Sequence, residues 1–202
     1  MSMFVETRAY HAGVDNVLRS LMTGDVGIDD YTETLIRIYG LEAPLEAALA
    51  YTPGFHAVFG IERRSGLIVR DLLALGLRPS QLTALPQCVI APFANPATAM
   101  GWLYMHERFR LQHPVAYHRL IERLPQVHHA SAYFCRDEIA LGARWGEFAV
   151  ALEQITRAPK DRRLVIDAAK DAYRRTEDWY RGDVLHTPIP GWTISPRREP
   201  HT

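Results

Sequence analysis

Residues 103–114, LYMHERFRLQHP, concentrate side chains that can bind a metal, transfer a proton or pair with an anion. After an apolar start, two histidines, a glutamate, two arginines and a glutamine occupy six of the eight positions before Pro114. Groups of these types serve as metal ligands and as general acids and bases. His106 and His113 lie two helical turns apart, about 10 Å along the axis, so they cannot chelate one ion unaided.

On a helical wheel, residues 99–113 present two different surfaces. One stripe holds Trp102, His106, Phe109 and His113, and the other holds Gly101, Met105, Arg108 and Gln112. Glu107 can pair with Arg110 at i+3, a spacing typical of a solvated surface pair. The apolar first half predicts a helix that runs from the core toward an opening or the surface.

His11 is a second candidate for chemistry. It lies on the flank of an apolar stripe of the first predicted helix, which contains Tyr10, Val14, Val17, Leu18 and Leu21. Asp15 follows His11 at i+4, within reach of its ring. A carboxylate that holds one ring nitrogen leaves the other free to bind a metal or heme iron. On periodicity alone, a boundary histidine satisfied by Asp15 or water is the favoured interpretation.

The remaining candidates give weaker patterns. Cys135, in YFCRDE, is either a nucleophile with a base nearby in space or a small buried thiol. His128 and His129 are adjacent and point in different directions. Cys88 and Cys135 have neither metal-site spacing nor the number typical of a disulfide framework, which favours reduced thiols in a cytoplasm.

The elements that must position these residues follow a helical period, and no strand-length window alternates. The first helix is expected from about Ser2 to Met22, closing at Thr23 and Gly24. A second begins near Ile28 and is expected to bend or divide at Pro44. The other predicted helices cover residues 66–76, 80–85 with Ser80 as its cap, 99–113, 114–124, 133–157 and 160–181. The predicted fold class is all-α.

The whole chain fits one globular domain. It has 202 residues, 48% of them hydrophobic, and a formal net charge of zero, which argues against nucleic acid as a partner. The start carries acid and arginine in place of an apolar leader, and no run of about 18 apolar residues occurs. We therefore expect a cytoplasmic protein with no membrane partner. Residues 1–181 form the predicted domain, and the proline-containing segment 182–202 is expected to be a surface or disordered tail.

Five segments in order resemble the heme oxygenase family, particularly bacterial members found beside bacteriophytochromes. The first is the pattern Thr7-Arg8-x-x-His11-x-x-Val14-Asp15, followed by Tyr31 with the run IYGLEAPLEAAL. The others are AMGWLYMHE in the distal-helix position, WGEFAVAL from Trp145, and VIDAAKDAYRRTEDW, which ends at Trp179. Together they span about residues 5–180.

The resemblance implies a heme-oxygenase-like single-domain helical bundle that holds heme between the first helix and the distal helix. His11 falls at the proximal iron ligand, with Asp15 as its orienting partner. Arg8 and Tyr104, and more loosely Arg157, Arg162 and Arg163, become candidates for heme binding, while Phe4 stands where a lysine is sought. The implied activity is oxidative cleavage of heme to biliverdin, carbon monoxide and iron, with O2 and an external electron donor such as a reductase.

The distal helix departs from the family pattern. Active members read roughly Leu-Glu-Gly-Ser-x-Leu-Gly-Gly there, and aligning Glu107 with the glutamate puts Arg108 at the first glycine and Gln112 and His113 at the closing pair. Gly101, Met105, Arg108 and Gln112 then form the expected distal wall. Either heme still binds with an altered oxygen site, or Arg108 fills the cavity and pairs with a carboxylate from another helix so that no heme binds.

Two rival functions follow. A catalytically inactive member of the family would act as a heme carrier, a sensor or a protein-interaction module, and the missing glycines favour this alternative. Thiaminase-like enzymes and di-iron oxidases share the broad architecture. Cys135 with Glu138 fits the former weakly, and no set of helical Glu-x-x-His pairs supports the latter.

Overall fold

The structure, a computed structural model, describes residues 3–23 and 26–182, without the side chains of residues 139 and 140. Within these residues the chain is helical and contains no β-strand, which confirms the all-α prediction. The predicted start at Ser2, the closing residue Gly24 and the tail beyond Gly182 lie outside the described residues. The predicted end near Met22 agrees with the described helix, which runs to Thr23.

The first helical segment is less regular than predicted. It consists of α1 (Met3–Thr7), α2 (His11–Asp15) and α3 (Arg19–Thr23), with 3₁₀ turns at Arg8–Tyr10 and Asn16–Leu18 between them. The apolar stripe is confirmed, because Val14, Leu18 and Leu21 are fully buried. The segment therefore packs along one face, as an amphipathic helix does.

The second helix, α4, runs from Ile28 to Ala50. The Gly27 N–H donates to Asp30 Oδ2 at 2.8 Å, so a first-turn carboxylate satisfies one of the exposed amide donors. The helix continues through Pro44, and the predicted division there is wrong.

Two shorter helices follow a 3₁₀ turn at Phe55–Ala57: α5 (Ser65–Ala74) and α6 (Pro79–Leu82). The prediction that Ser80 caps the second of these is wrong. Arg78 is the N-cap residue, its N–H donates to Gln81 Oε1 at 2.8 Å, and Pro79 occupies the first helical position.

The four later helices lie close to their predicted positions: α7 (Pro96–Arg110), α8 (His113–Arg123), α9 (Ala132–Ile155) and α10 (Pro159–Arg181). Asn95 caps α7 by accepting a hydrogen bond from the Thr98 N–H at 2.9 Å. Pro114 lies in the first turn of α8, and a 3₁₀ turn at Pro125–Ala130 leads into α9.

The packing of α7 against α10 is the most extensive helix contact of the described chain. Gly101 makes it possible: a Cβ there would lie 2.7 Å from Ala168 Cβ and 2.8 Å from the Ala169 nitrogen, and would also overlap the Val165 carbonyl oxygen. The two backbones therefore approach closely only because position 101 has no side chain. Among the described helices, none has the length and hydrophobicity needed to cross a membrane.

Candidate functional site

His11 lies beneath two aromatic rings. Only 6% of its surface is exposed. The Phe4 ring meets the imidazole edge-on with a centroid distance of 5.1 Å, and the Tyr173 ring from α10 lies at the same centroid distance. The histidine is therefore enclosed by α1 and α10 as well as by its own helix.

The ring nitrogen of His11 is engaged by Thr7. The Thr7 hydroxyl donates its one proton to the Met3 carbonyl oxygen at 2.9 Å, so toward His11 Nε2, also at 2.9 Å, its oxygen acts as the acceptor. Burial, and then the positive charge of Arg108, lower the pKa of His11 to about 4, while Asp15 opposes the shift. Near neutral pH the imidazole is therefore neutral with its proton on Nε2.

Asp15 binds α7 instead of the His11 ring. Arg108 donates to both carboxylate oxygens, with Nη1 to Oδ1 at 2.6 Å and Nη2 to Oδ2 at 2.9 Å. Gln112, one turn further along the chain, donates Nε2 to the same Oδ1 at 2.7 Å. We call Asp15, Arg108 and Gln112 the Asp15 clasp. Thr7, and not the predicted Asp15, is thus the hydrogen-bond partner of His11.

The ion pair with Asp15 stabilises the positive charge of Arg108. Burial lowers its pKa, but the hydrogen bonds that Arg108 donates to Asp15 outweigh that effect and the net pKa is raised. Burial likewise raises the pKa of the nearby Tyr173, while Arg108 opposes the shift through its charge and its contact with the hydroxyl. The buried hydroxyl has no other hydrogen-bond partner among the described residues. Tyr173 therefore covers His11 as an apolar ring.

The other residues of the predicted distal wall lie in the core. Gly101 faces the backbone of α10 and not a cavity beside the first helix. Met105 is 1% exposed. Arg108 and Gln112 bind the same carboxylate, but α7 ends at Arg110, so the prediction that Gln112 belongs to the same helix is wrong.

A groove of about 290 Å³ lies on the other side of Phe4. Its lining is mostly apolar and includes Met3, Phe4, Tyr104, Trp145, Leu152 and Arg162. Neither His11 nor Arg8 lines it, and Arg8 is exposed on the surface. The groove is thus separate from the imidazole, with Phe4 contacting both.

These residues do not fit heme in the arrangement described. The Nε2 of His11 carries a proton that Thr7 accepts, so it offers no lone pair to iron. The ring is enclosed, and the Asp15 clasp fills the side toward α7. Within the described residues, no set of three or more His, Cys, Asp or Glu side chains is arranged to hold a metal ion.

The opposite face of α7 carries a larger polar cluster, centred on Asp137 of α9. Asp137 accepts hydrogen bonds from Arg64 at 2.5 Å, Arg110 at 2.6 Å and His113 Nδ1 at 2.6 Å. Arg64, Asp137 and His113 have no exposed surface. We call these four residues the Asp137 network. They hold α7, α8, α9 and the segment before α5 together.

Further ion pairs extend this cluster. His106 Nε2 lies 2.7 Å from Glu42, which also accepts from the Tyr133 hydroxyl at 3.0 Å. Glu107 pairs with Arg110 and with Arg144 of α9, each at 3.0 Å. The predicted Glu107–Arg110 pair forms, but its expected solvent exposure is wrong, because both side chains are 1% exposed.

The two histidines of this cluster have opposite charge states. Burial lowers the pKa of His106, but the Glu42 carboxylate outweighs it and the net pKa is raised. Burial raises the pKa of Glu42, but His106 above all, with Arg64 and Arg110, brings it to about 2. Burial lowers the pKa of His113 to about 4. His106 is therefore the cation of an ion pair, and His113 a neutral donor.

The remaining sequence candidates lie apart from both clusters. Cys135 is half-buried, and Glu138 pairs with His118 at 3.2 Å on the surface. His128, His129, Arg157 and Arg163 are exposed. Sequence reasoning missed Thr7 and Tyr173 as contacts of His11, although both stand in the quoted segments. It also missed Asp137, for which only its place two residues after Cys135 was visible.

The comparisons with known proteins give one match. A family model described as heme oxygenase matches residues 3–182, a range that includes α1 through α10. No curated protein and no solved structure matches the chain significantly.

Proposed function

The chain belongs to the heme oxygenase family, and we propose that it is a member that lacks heme oxygenase activity and serves as a binding module built on that scaffold. Heme is the group that membership in this family implies. The observation that carries the proposal is the state of His11, whose Nε2 proton is bound by Thr7 and whose ring is enclosed by Phe4 and Tyr173.

The chemistry of the family requires what this site does not offer. Bound heme supplies the oxygen activation, and the protein must supply an imidazole nitrogen that iron can reach and open space above the heme. Here Arg108 and Gln112 fill that space and are bound to Asp15. The residues of the Asp15 clasp make contacts that hold helices together. None of their side chains is positioned to hold or move a proton at a substrate.

A second candidate, a heme carrier or sensor, is favoured by one observation. With a pKa of about 4, His11 is neutral at physiological pH, and neutral imidazole is the form that binds iron. This function requires the Thr7 hydrogen bond and the Asp15 clasp to open. Biliverdin production of the bacteriophytochrome-associated type would require, in addition, O2 and an external electron donor.

Location is part of the proposal. The free thiols of Cys88 and Cys135 support a cytoplasmic protein.

A hemin titration tests the proposed function. Wild-type protein and His11→Ala are titrated while the Soret band is followed, and ascorbate is then added in air. We expect no saturable Soret shift and identical spectra for the two proteins. A saturable shift that His11→Ala abolishes would contradict the proposal. A stable spectrum after ascorbate would then identify a carrier, and bleaching with a biliverdin product an oxygenase.

A further inference from the structure

We infer that the Asp15 clasp is what closes the space in front of His11, so that Arg108 and Gln112 determine whether a flat ligand reaches this histidine. The inference rests on the proposed function, because it explains which contacts keep the site closed. It assigns to Arg108 and Gln112 a role in ligand exclusion that their positions in the sequence alone do not reveal.

The Asp15 clasp joins α2 to the C-terminal end of α7 on the side of the His11 imidazole. Asp15 is one turn beyond His11 on α2. Arg108 lies in the last turn of α7, and Gln112 is the N-cap residue of α8. A two-pronged guanidinium contact fixes direction as well as distance. With three hydrogen bonds on one carboxylate, α2 is held against α7 on the side of the imidazole.

Charge pairing keeps the Arg108 side chain inside. Its side chain is 16% exposed and that of Asp15 is 28% exposed, so the pair stands at the border of the protein and not deep within it. A guanidinium without its carboxylate is better solvated by water than by this border. Without the Asp15 carboxylate, Arg108 is therefore no longer held across the space in front of His11.

The two aromatic rings that cover His11 have fewer bonds to lose. Phe4 is 52% exposed and belongs to the short helix α1. The Tyr173 hydroxyl interacts with Arg108 of the clasp and has no other hydrogen-bond partner among the described residues, so the polar contact of this ring depends on the clasp itself. Of the three groups in front of the histidine, only the clasp adds charge pairing and hydrogen bonds to packing.

The ligand that this position would take is defined by its chemistry. It must be flat enough to enter between α2 and α7, apolar enough to lie against Phe4 and Tyr173, and able to bind an imidazole nitrogen. An iron porphyrin has these properties, so hemin is the probe.

The experiment opens the clasp and measures access to His11 in the full chain. The variants are Arg108→Gly/Gln112→Gly and the milder Asp15→Asn. The matched control is Arg119→Gly, which places glycine in α8 and removes an exposed pair with Glu122. Access is measured as the rate at which diethyl pyrocarbonate acylates His11, determined by peptide mass spectrometry, and ligand binding by a hemin titration.

We expect His11 to react about tenfold faster or more in the double glycine variant, less so in Asp15→Asn, and at the wild-type rate in Arg119→Gly. The double variant is also expected to give a saturable Soret shift, which disappears when His11→Ala is added. If the double variant does not fold, Asp15→Asn provides the same two measurements.

Two results would overturn the inference. One is a folded clasp variant whose acylation rate stays within about twofold of the wild-type rate, since closure would then lie elsewhere. The other is faster acylation with no His11-dependent Soret shift. Failure of the proposed function looks different: the wild type itself binds hemin through His11. In that case the inference requires the double variant to bind hemin about tenfold more tightly, and equal affinity overturns it.

Discussion

The two faces of α7 carry the same pairing chemistry in different surroundings. Arg108 and Arg110 are two residues apart, and each binds an aspartate from another helix. The Arg108–Asp15 pair is 16% and 28% exposed, whereas the Arg110–Asp137 pair is 1% and 0% exposed. Water can replace the partner of a border charge but not that of a buried one. The Asp15 clasp is therefore a contact that can open, and the Asp137 network is part of the fold.

The largest expected effect comes from breaking the buried face. Asp137→Ala leaves Arg64 and Arg110 without their shared carboxylate, which we expect to cost about 3–5 kcal/mol of unfolding free energy. Urea denaturation followed by circular dichroism measures it. Glu138→Ala, next in sequence but on the surface, is the control and is expected to change stability by less than about 1 kcal/mol. Equal losses in the two variants would refute the assignment of Asp137 to the fold.

A pH series probes one buried histidine on each face. Burial, together with the positive charge of Arg108, lowers the pKa of His11 to about 4. Burial also lowers the pKa of His113 to about 4. The unfolded chain binds these protons at about pH 6.5, so the free energy of unfolding should fall as the pH decreases from about 6.5 to 4. Glu42, with a pKa of about 2, loses its stabilising charge below this window.

The variant His11→Phe isolates the contribution of the clasp side. Without a titrating group at position 11, the loss of stability between pH 6.5 and 4 should be smaller by about 1–3 kcal/mol. Urea denaturation at several pH values gives this difference. An unchanged pH profile would show that His11 titrates normally and is not enclosed.

Whether Gly101→Ala raises or lowers the stability of the protein distinguishes an α7 that is packed at this position from one that faces a cavity. Gly101→Ala places a methyl group against the α10 backbone, and we expect a net loss of roughly 1–2 kcal/mol despite the better helix propensity of alanine. Gly142→Ala, in α9 with no atom within 4 Å of the new Cβ, should instead gain about 0.5–1 kcal/mol. Thermal denaturation measures both. A stabilising Gly101→Ala would mean open space beside the distal wall.

The smallest loss in unfolding free energy is expected for a substitution in the Asp15 clasp. Asp15→Asn removes the charge but keeps the shape of a side chain that is partly exposed, so the loss in unfolding free energy should be about 1 kcal/mol. Urea denaturation beside Asp137→Ala gives the comparison directly. A loss as large as that of Asp137→Ala would abolish the distinction between the two faces.

Local spacing predicted much of this picture. The helical period predicted the all-α fold and the buried stripe with Val14, and it grouped Arg108 with Gln112, which bind the same carboxylate. Sequence reasoning also stated, as one of two outcomes, that Arg108 would pair with a carboxylate from another helix. That carboxylate is Asp15.

The features that could not be predicted from the sequence depend on which helices pack against each other. The Glu107–Arg110 spacing predicted a pair, but its burial results from Arg144 and Asp137 on α9, far away in the chain. Asp15 was expected at His11 because i+4 neighbours face each other on a helix. The stronger partner came from α7, which no local pattern reveals.

The most direct test of a closed His11 site is an NMR titration of the imidazole in the isotopically labelled wild-type protein, with His11→Ala to assign its signal. The account predicts a pKa of about 4, the tautomer with its proton on Nε2 at neutral pH, and no change when one equivalent of hemin is added. A pKa near the ordinary 6.5, together with selective broadening of the His11 signal by hemin, would contradict it.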